Sequence, residues 1–507
     1  MVGKYIRDLR AEFSGYGMGR LARDLMAGLT VASVALPLAL AFGVSSGADA
    51  AAGLVTAIAA GLLIGALSGA SYQISGPTGA MSAILIGVGA RQGIQGVLLA
   101  GLLSGGLLIA MSIFNVGGLV KFIPSPVIAG FTSGIALVIA LGQVDNFFGV
   151  SSEGAELVER LGSYARLGFS PSGQAALMGG AAIAIMALWP KKWPVPGSLV
   201  AIAATLVLNL ILNPSAPALR EVGGIPRSLV APNRLALSGL SLGGALQAVG
   251  PAVSIAALGM IESLLCGLSA GRMKGEPMDA RRELMAQGVG NLLLPLIGGV
   301  PATAAIARTS VAVRAGQQTR LTGVVHSLAL IASMFLLGGV MSRIPLAALA
   351  GVLMTTAWRM NEWPAIRQIF SSRMKHAMAM YLITLCCTVL FDLTIAIAAG
   401  VLVAAVAHVA KSARLTLSAE DAGDRRVIRL HGALFFGTQG QIQRLEALAE
   451  GAEAVAIDLS GAHSADLSAL GALREACEQL ASRGASVSIE GARPELAGEM
   501  RRAGLAD

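Results

Sequence analysis

Charge is what this chain does without. Of 507 residues only 13% are Asp, Glu, Lys or Arg, 55% are hydrophobic, and mean hydropathy is +0.71. A water-soluble fold of this size would need more polar surface, so the chain reads as a polytopic membrane protein with the lipid bilayer as a partner. Aromatics are scarce at 4%, so large rings cannot supply most of the helix packing. Glycine, at 64 residues, points instead to close helix contacts through small residues. Cysteine is nearly absent. Cys266, Cys386, Cys387 and Cys477 show no CxxC or Cys/His spacing, which argues against a metal site or a disulfide framework. No nucleophile–base pair and no nucleotide loop is evident, so neither an enzyme nor a cofactor is expected. No cleavable signal is evident either, because the first twenty-odd residues are polar and basic without an apolar core. The net charge of +8 belongs to short loops beside the spans, so it reads as membrane topology rather than nucleic-acid binding.

The informative stretch is Ser75–Ala90. It is apolar and uncharged, but as a helix it rises only about 24 Å against a hydrocarbon core of about 30 Å. Gly76-Pro77-Thr78-Gly79 reads as a helix N-terminus. Proline suits a first turn, and glycine lets backbone N–H groups approach a ligand. A second short segment answers it, with Gly299-Val300-Pro301-Ala302-Thr303 opening Ala304–Val313. Helix starts in mid-membrane aim their positive dipole ends and free N–H groups at one point, which suits an anion. Paired short segments in two halves mark the central site of a transporter. The expected anion-binding set is therefore Gly76, Thr78, Gly79, Ala80, Ser82, Ala302, Thr303, Ala304 and Arg308.

In chain order, residues 1–23 read as a cytoplasmic amphipathic lead-in and residues 24–411 as the transmembrane transport domain. Fourteen segments are expected: Asp24–Gly43 (broken near Pro37), Ala50–Leu67, Ser75–Ala90, Gly96–Phe114, Val127–Gln143, Ala175–Trp189, Pro196–Leu212, Gly244–Gly271, Leu284–Gly298, Pro301–Val313, Leu321–Met341, Pro345–Trp358, Ala377–Phe391 and Leu393–Ala410. An acidic loop with Asp145, Glu153, Glu156 and Glu159 separates the fifth from the sixth. Basic residues follow the even-numbered spans: Lys121, then Lys191 and Lys192, then Arg272, Lys274, Arg281 and Arg282, then Arg314 and Arg320, then Arg359, Arg367, Arg373 and Lys375. The positive-inside rule then places both termini in the cytoplasm of a bacterial-type inner membrane. The long loop with Arg220, Arg227 and Arg234 is the exception. Seven spans per half is odd, so two similar halves must face opposite ways as an inverted repeat. Residues 412–507 alternate strand and helix and read as a small cytoplasmic α/β domain, with strands at Val427–Leu430, Leu434–Gly437, Ala454–Leu459 and Ser486–Glu490, and helices at Gln441–Glu450, Leu467–Arg483 and Glu495–Ala503.

Two charges stand inside apolar spans. Glu262 is the one carboxylate in a run otherwise uncharged from Leu235 to Gly271. An intramembrane acid marks function by default, and a carboxyl that can take up a proton lets the proton travel with the anion. The bland alternative is a structural ion pair. Arg308, read as two turns into the tenth segment, either holds the anion or neutralises Glu262. Thr78, Ser82 and Thr303 offer hydroxyl donors, or simple caps. Gln143, Asn209 and His326 read as structural.

The runs SGPTGAMSAILI (75–86), GFTSGIALVI (130–139), IESLLCGLSAGRM (261–273) and GGVPATAAIARTSVAVRAGQQT (298–319) resemble the SulP (sulfate permease) anion transporters, also called solute carrier family 26. The C-terminal α/β part is similar to that family's STAS domain. The resemblance implies a seven-plus-seven inverted repeat divided into core and gate bundles, a homodimer, and elevator-like motion. It implies transport of a small anion, such as a dicarboxylate like fumarate, sulfate or bicarbonate, with Glu262 as the coupling acid for a proton or, less readily, sodium. An uncoupled anion channel and a sodium-coupled bicarbonate transporter are the alternatives. At Asp466-Leu467-Ser468, Leu467 stands where related antagonists carry a phosphorylated serine, so that regulation does not carry over.

Overall fold

The computed structural model describes the chain except at residues 1, 119–122, 155–156, 191–192, 194, 213–216, 223–224, 226–227, 237–241, 392 and 506–507. Lys121, Lys191, Lys192, Arg227 and Glu156, used above, lie outside the described residues. The contacts divide the chain into two compact units, Met1–Gly400 and Val401–Asp507.

The first unit begins with the amphipathic helix α1 (Val2–Glu12), followed by α2 (Met18–Ser45) and α3 (Ala50–Leu67). The sequence suggested a break near Pro37, but α2 runs through it. A proline in mid-helix forgoes one hydrogen bond, and burial of residues 35–43 against neighbouring helices holds the helix together regardless. Asp49 starts α3 by accepting from the Ala52 N–H at 2.6 Å, a normal N-cap. The chain then forms a two-residue strand, β1 (Ser75–Gly76), and α4 (Gly79–Ile113). Gly93, with φ 66° and ψ −174°, breaks α4 into helical stretches at 79–92 and 94–113. Only glycine enters that backbone region at little cost, and the break separates the third expected segment from the fourth.

Next come α5 (Ser125–Gly142), α6 (Val144–Phe148), α7 (Leu157–Leu167), α8 (Gly173–Leu188) and α9 (Gly197–Leu212). The acidic loop is thus partly helical. Asp145 gathers it by accepting from Ser152, Arg160 and Tyr164. The second half runs through α10 (Leu242–Lys274), α11 (Ala280–Leu293), strand β2 (Thr303–Ala304), α12 (Ile306–Arg314), α13 (Leu321–Met341), α14 (Leu346–Met360), α15 (Trp363–Ser371), α16 (Lys375–Leu390) and α17 (Leu393–Ser412). Among the described residues six helices are long and apolar enough to cross a membrane, and four more are apolar but shorter.

Packing sorts these helices into two bundles. In one, α4 packs on α10 and α11, while α2, α3 and α13 pack on one another and α12 packs on α2 and α10. In the other, α5, α8, α9, α14 and α16 pack together. Both short strands belong to the first bundle.

The second unit holds a four-stranded sheet in the order β3 (Thr416–Ala422), β4 (Arg425–Leu434), β5 (Ala454–Ala465), β6 (Ser486–Glu490). The first pair is antiparallel and the other two are parallel. Helix α20 (Leu467–Ser482) buries Leu470, Leu473 and Leu480 with Ile428, Leu430 and Ile457 of the sheet. Strand β3, mostly exposed, escaped the sequence reading because it has no apolar alternation. Two expected elements differ. Phe436–Thr438 is a 3-10 turn rather than strand, and the expected helix Gln441–Glu450 is two single turns, α18 (Gln439–Ile442) and α19 (Leu445–Leu448). Strand β5 also continues past the expected end at Leu459 to Ala465. Asp466 caps α20 by accepting from the Ala469 N–H, which leaves Leu467 exposed.

Candidate functional site

The two short strands meet. β1 pairs antiparallel with β2, Ser75 opposite Ala304 and Gly76 opposite Thr303. The pairing is extended by Ile74, whose carbonyl accepts from the Ala305 N–H and whose N–H donates to Thr309 Oγ1. Backbone groups buried in a membrane must find partners. Strand pairing supplies them just before each helix starts, and its antiparallel register sends α4 and α12 off from opposite ends of the pair.

This corrects the expected helix starts. Pro77 and Pro301 do not sit in first helical turns but in the extended leads before them. α4 starts at Gly79 with Thr78 as its N-cap, and α12 starts at Ile306 after Ala305. Gly76 and Thr303 are strand residues for the same reason. Arg308 is therefore in the first turn of α12, not two turns in.

Glu262 comes from the middle of α10 and reaches the junction. Its Oε2 accepts from Thr78 Oγ1 at 3.0 Å and from Thr303 Oγ1 at 2.7 Å, and the two hydroxyls are 3.3 Å apart. The adjacent Ser263 secures both leads. Its Oγ accepts from the Ala304 N–H, and its carbonyl accepts from Gln73. Arg308 is 1% exposed. Its Nη2 donates to the Pro77 carbonyl at 2.8 Å, while Nη1 has no partner among the described residues. No ion pair joins it to Glu262 among the described residues. Gly76 makes room for the guanidinium, since a Cβ there would overlap Nη1.

The other expected site residues are buried here with differing attachments. Gly79 and Ala80 form the first turn of α4. Ser82 engages its hydroxyl with Ser46 and with the Phe42 and Thr78 carbonyls. Ala302 has both peptide groups engaged by one side chain: its N–H donates to Asn291 Oδ1 at 2.8 Å, and its carbonyl accepts from Asn291 Nδ2 at 2.9 Å.

That last contact belongs to a set the sequence reading missed. Glu283, Gln287 and Asn291 repeat every four residues along α11 and are all buried. Four-residue spacing puts them on one helix face. Glu283 accepts from the Gly69 N–H, Ser68 and Gln287. Gln287 also donates to Ser75, and Asn291 grips Ala302. α11 is thus a polar rail that holds β1 at Ser75 and the lead into β2 at Ala302. The regular spacing of three polar residues was the available signal, but Glu283 fell just outside the expected segment.

The geometry offers one fixed cation with an unpartnered edge, two hydroxyls, and two helix N-termini around one carboxyl group. Charge and directed hydrogen-bond donors of this kind are what a small anion requires. It has no nucleophile poised against a base.

Comparison with known proteins bears on the family. The sulfate permease family matches residues 21–384, and the STAS domain matches residues 416–507. The putative sulfate transporter YvdB of Bacillus subtilis (strain 168) is 32% identical, with 97% of this chain and 96% of that protein covered. The bicarbonate transporter BicA of Picosynechococcus sp. is 29% identical over 94% of this chain and 89% of its own. The solved transmembrane domain of a cyanobacterial BicA superposes with a TM-score of 0.66 at 28% identity, covering 75% of this chain and 98% of that one. The overall structure of SLC26A9 shares the fold, with a TM-score of 0.83 at 14% identity over 97% of this chain and 88% of that one. The chain therefore belongs to the sulfate permease (SulP, solute carrier family 26) family of anion transporters and ends in a STAS domain.

Proposed function

We propose that the chain is a secondary transporter that moves a small anion together with a proton across a bacterial inner membrane. The observation that carries this is the shared carboxylate oxygen. Thr78 and Thr303, one beside each short helix, both donate to Glu262 Oε2. While Glu262 is ionised it holds both hydroxyls and competes with an incoming anion for the positive potential of Arg308 and the helix starts. When Glu262 is protonated the competition ends, and both hydroxyls can turn to the anion. Proton and anion then favour each other's binding, and such linkage is reciprocal. Hydroxyls and a guanidinium suit a tetrahedral or planar oxyanion, so sulfate, bicarbonate and a dicarboxylate such as fumarate form the panel.

The basic residues at one set of helix ends support cytoplasmic termini. The sorting of helices into two bundles, with the site residues in one of them, supports elevator-type motion of that bundle. The similarity to bicarbonate transporters supports bicarbonate as the anion, and a second reading pairs it with sodium, with Glu262 serving a sodium ion. Uptake by proteoliposomes over the anion panel, with a pH gradient or a sodium gradient imposed separately, tests both. Accumulation driven by the pH gradient supports proton coupling. Accumulation driven only by sodium overturns it.

A further inference from the structure

Helix α1 keeps its two acids apart from its two arginines, with Lys4 paired to Asp279 at 2.6 Å. Tyr5, Asp8 and Glu12 lie at i, i+3 and i+7, one face of the helix, and turn inward. Asp8 pairs with Arg282 at 3.1 Å and Glu12 with Arg320 at 2.9 Å. The Tyr5 ring stacks between these two arginines, 4.5 and 5.6 Å from its centroid, and its hydroxyl donates to the Ala66 carbonyl. So α1 ties together the end of α3, the start of α11 and the start of α13, which flank the site strands in sequence. Arg282 and Arg320 are themselves buried, which makes the inner face a fixed joint.

The outer face is different. Ile6, Arg7 and Arg10 are exposed, and the two arginines make no hydrogen bond or ion pair among the described residues. Both acids of α1 face in and both arginines face out. Only residues 13–17 separate α1 from α2, whose Met18, Leu25, Met26 and Leu29 present exposed apolar side chains where a membrane span meets lipid, and Arg23 is exposed among them. Unpaired arginines held at the mouth of a span lie at headgroup level, where anionic lipid attracts them.

We propose that the outer face of α1 is a docking surface for anionic lipid headgroups, and that this contact presses the inner joint onto the ends of α3, α11 and α13, so that transport depends on anionic lipid. The occupant is the leaflet rather than an acidic protein, because the linker to α2 is too short to let α1 leave the membrane surface.

The test uses full-length protein in phosphatidylcholine liposomes with increasing phosphatidylglycerol, and native mass spectrometry of retained lipid. Wild type is compared with R7Q/R10Q and with R474Q on the second unit as a charge control, each checked by gel filtration. Wild type and R474Q should retain phosphatidylglycerol over phosphatidylcholine, and their sulfate or bicarbonate uptake should rise with its fraction. R7Q/R10Q should retain roughly 25-fold less, about fivefold per arginine, and lose the rise while keeping its uptake in pure phosphatidylcholine. Equal retention and an equal rise in all three proteins would overturn the proposal.

Discussion

Thr78 and Thr303, from opposite halves of the chain, donate to the same oxygen of Glu262 and stand 3.3 Å apart. Thr78 also caps α4, while Thr303 lies in β2 opposite Gly76. A single carboxyl group therefore senses both leads at once. Because the two hydroxyls share one acceptor, they act as a unit, and their effects on binding should not add.

That non-additivity is measurable. Thr78→Val and Thr303→Val each keep the shape and remove the donor. Each should weaken anion binding about tenfold, in the range of a lost hydrogen bond to a charged group. The double variant should be weaker than either single one by much less than a further tenfold. Calorimetric binding of the best anion in the panel, run as a double-mutant cycle, checks this. Strict additivity would separate the two hydroxyls.

Gly76 is the residue that lets Arg308 sit where it does. Gly76→Ala adds a methyl that overlaps Nη1 and must displace the guanidinium. Anion affinity should fall at least tenfold with the protein still folded, and Arg308→Ala should give a similar loss with no further effect of the Gly76 change. Unchanged affinity in Gly76→Ala would detach Arg308 from the site.

Asn291 should matter for stability before it matters for transport. Asn291→Leu leaves the buried N–H and carbonyl of Ala302 without partners, at about 1–3 kcal/mol each. The expected result is a clearly lowered melting temperature in detergent. Equal melting temperatures for wild type and Asn291→Leu would show that the rail is dispensable.

How far the sequence carried this account depends on the kind of signal. Apolar runs placed the spans, and the repeated Gly-Pro openings placed the two short segments. A lone acid and a lone arginine in apolar surroundings pointed to Glu262 and Arg308. The strands β1 and β2 were not legible, because two-residue strands leave no periodicity and proline next to glycine reads as readily as a helix start. That one ambiguity misplaced both helix starts and the depth of Arg308 in α12. Strand β3 was missed because its exposed, polar residues carry no burial pattern. The rail of Glu283, Gln287 and Asn291 was legible in principle, since its spacing is helical. What it grips was not, because Ser75 and Ala302 are distant in the chain.

The coupling role of Glu262 can be measured directly. Glu262→Gln keeps the size and polarity of the neutral acid but can neither bind nor release a proton. Wild type and variant are reconstituted in proteoliposomes, with folding checked by gel filtration, and uptake is followed under an imposed inward proton gradient and under anion exchange without one. Accumulation above equilibrium is expected in wild type only, rising as the external pH falls, with exchange preserved in the variant. Equal proton-driven accumulation in both proteins would contradict it and leave Glu262 as a structural acceptor for Thr78 and Thr303.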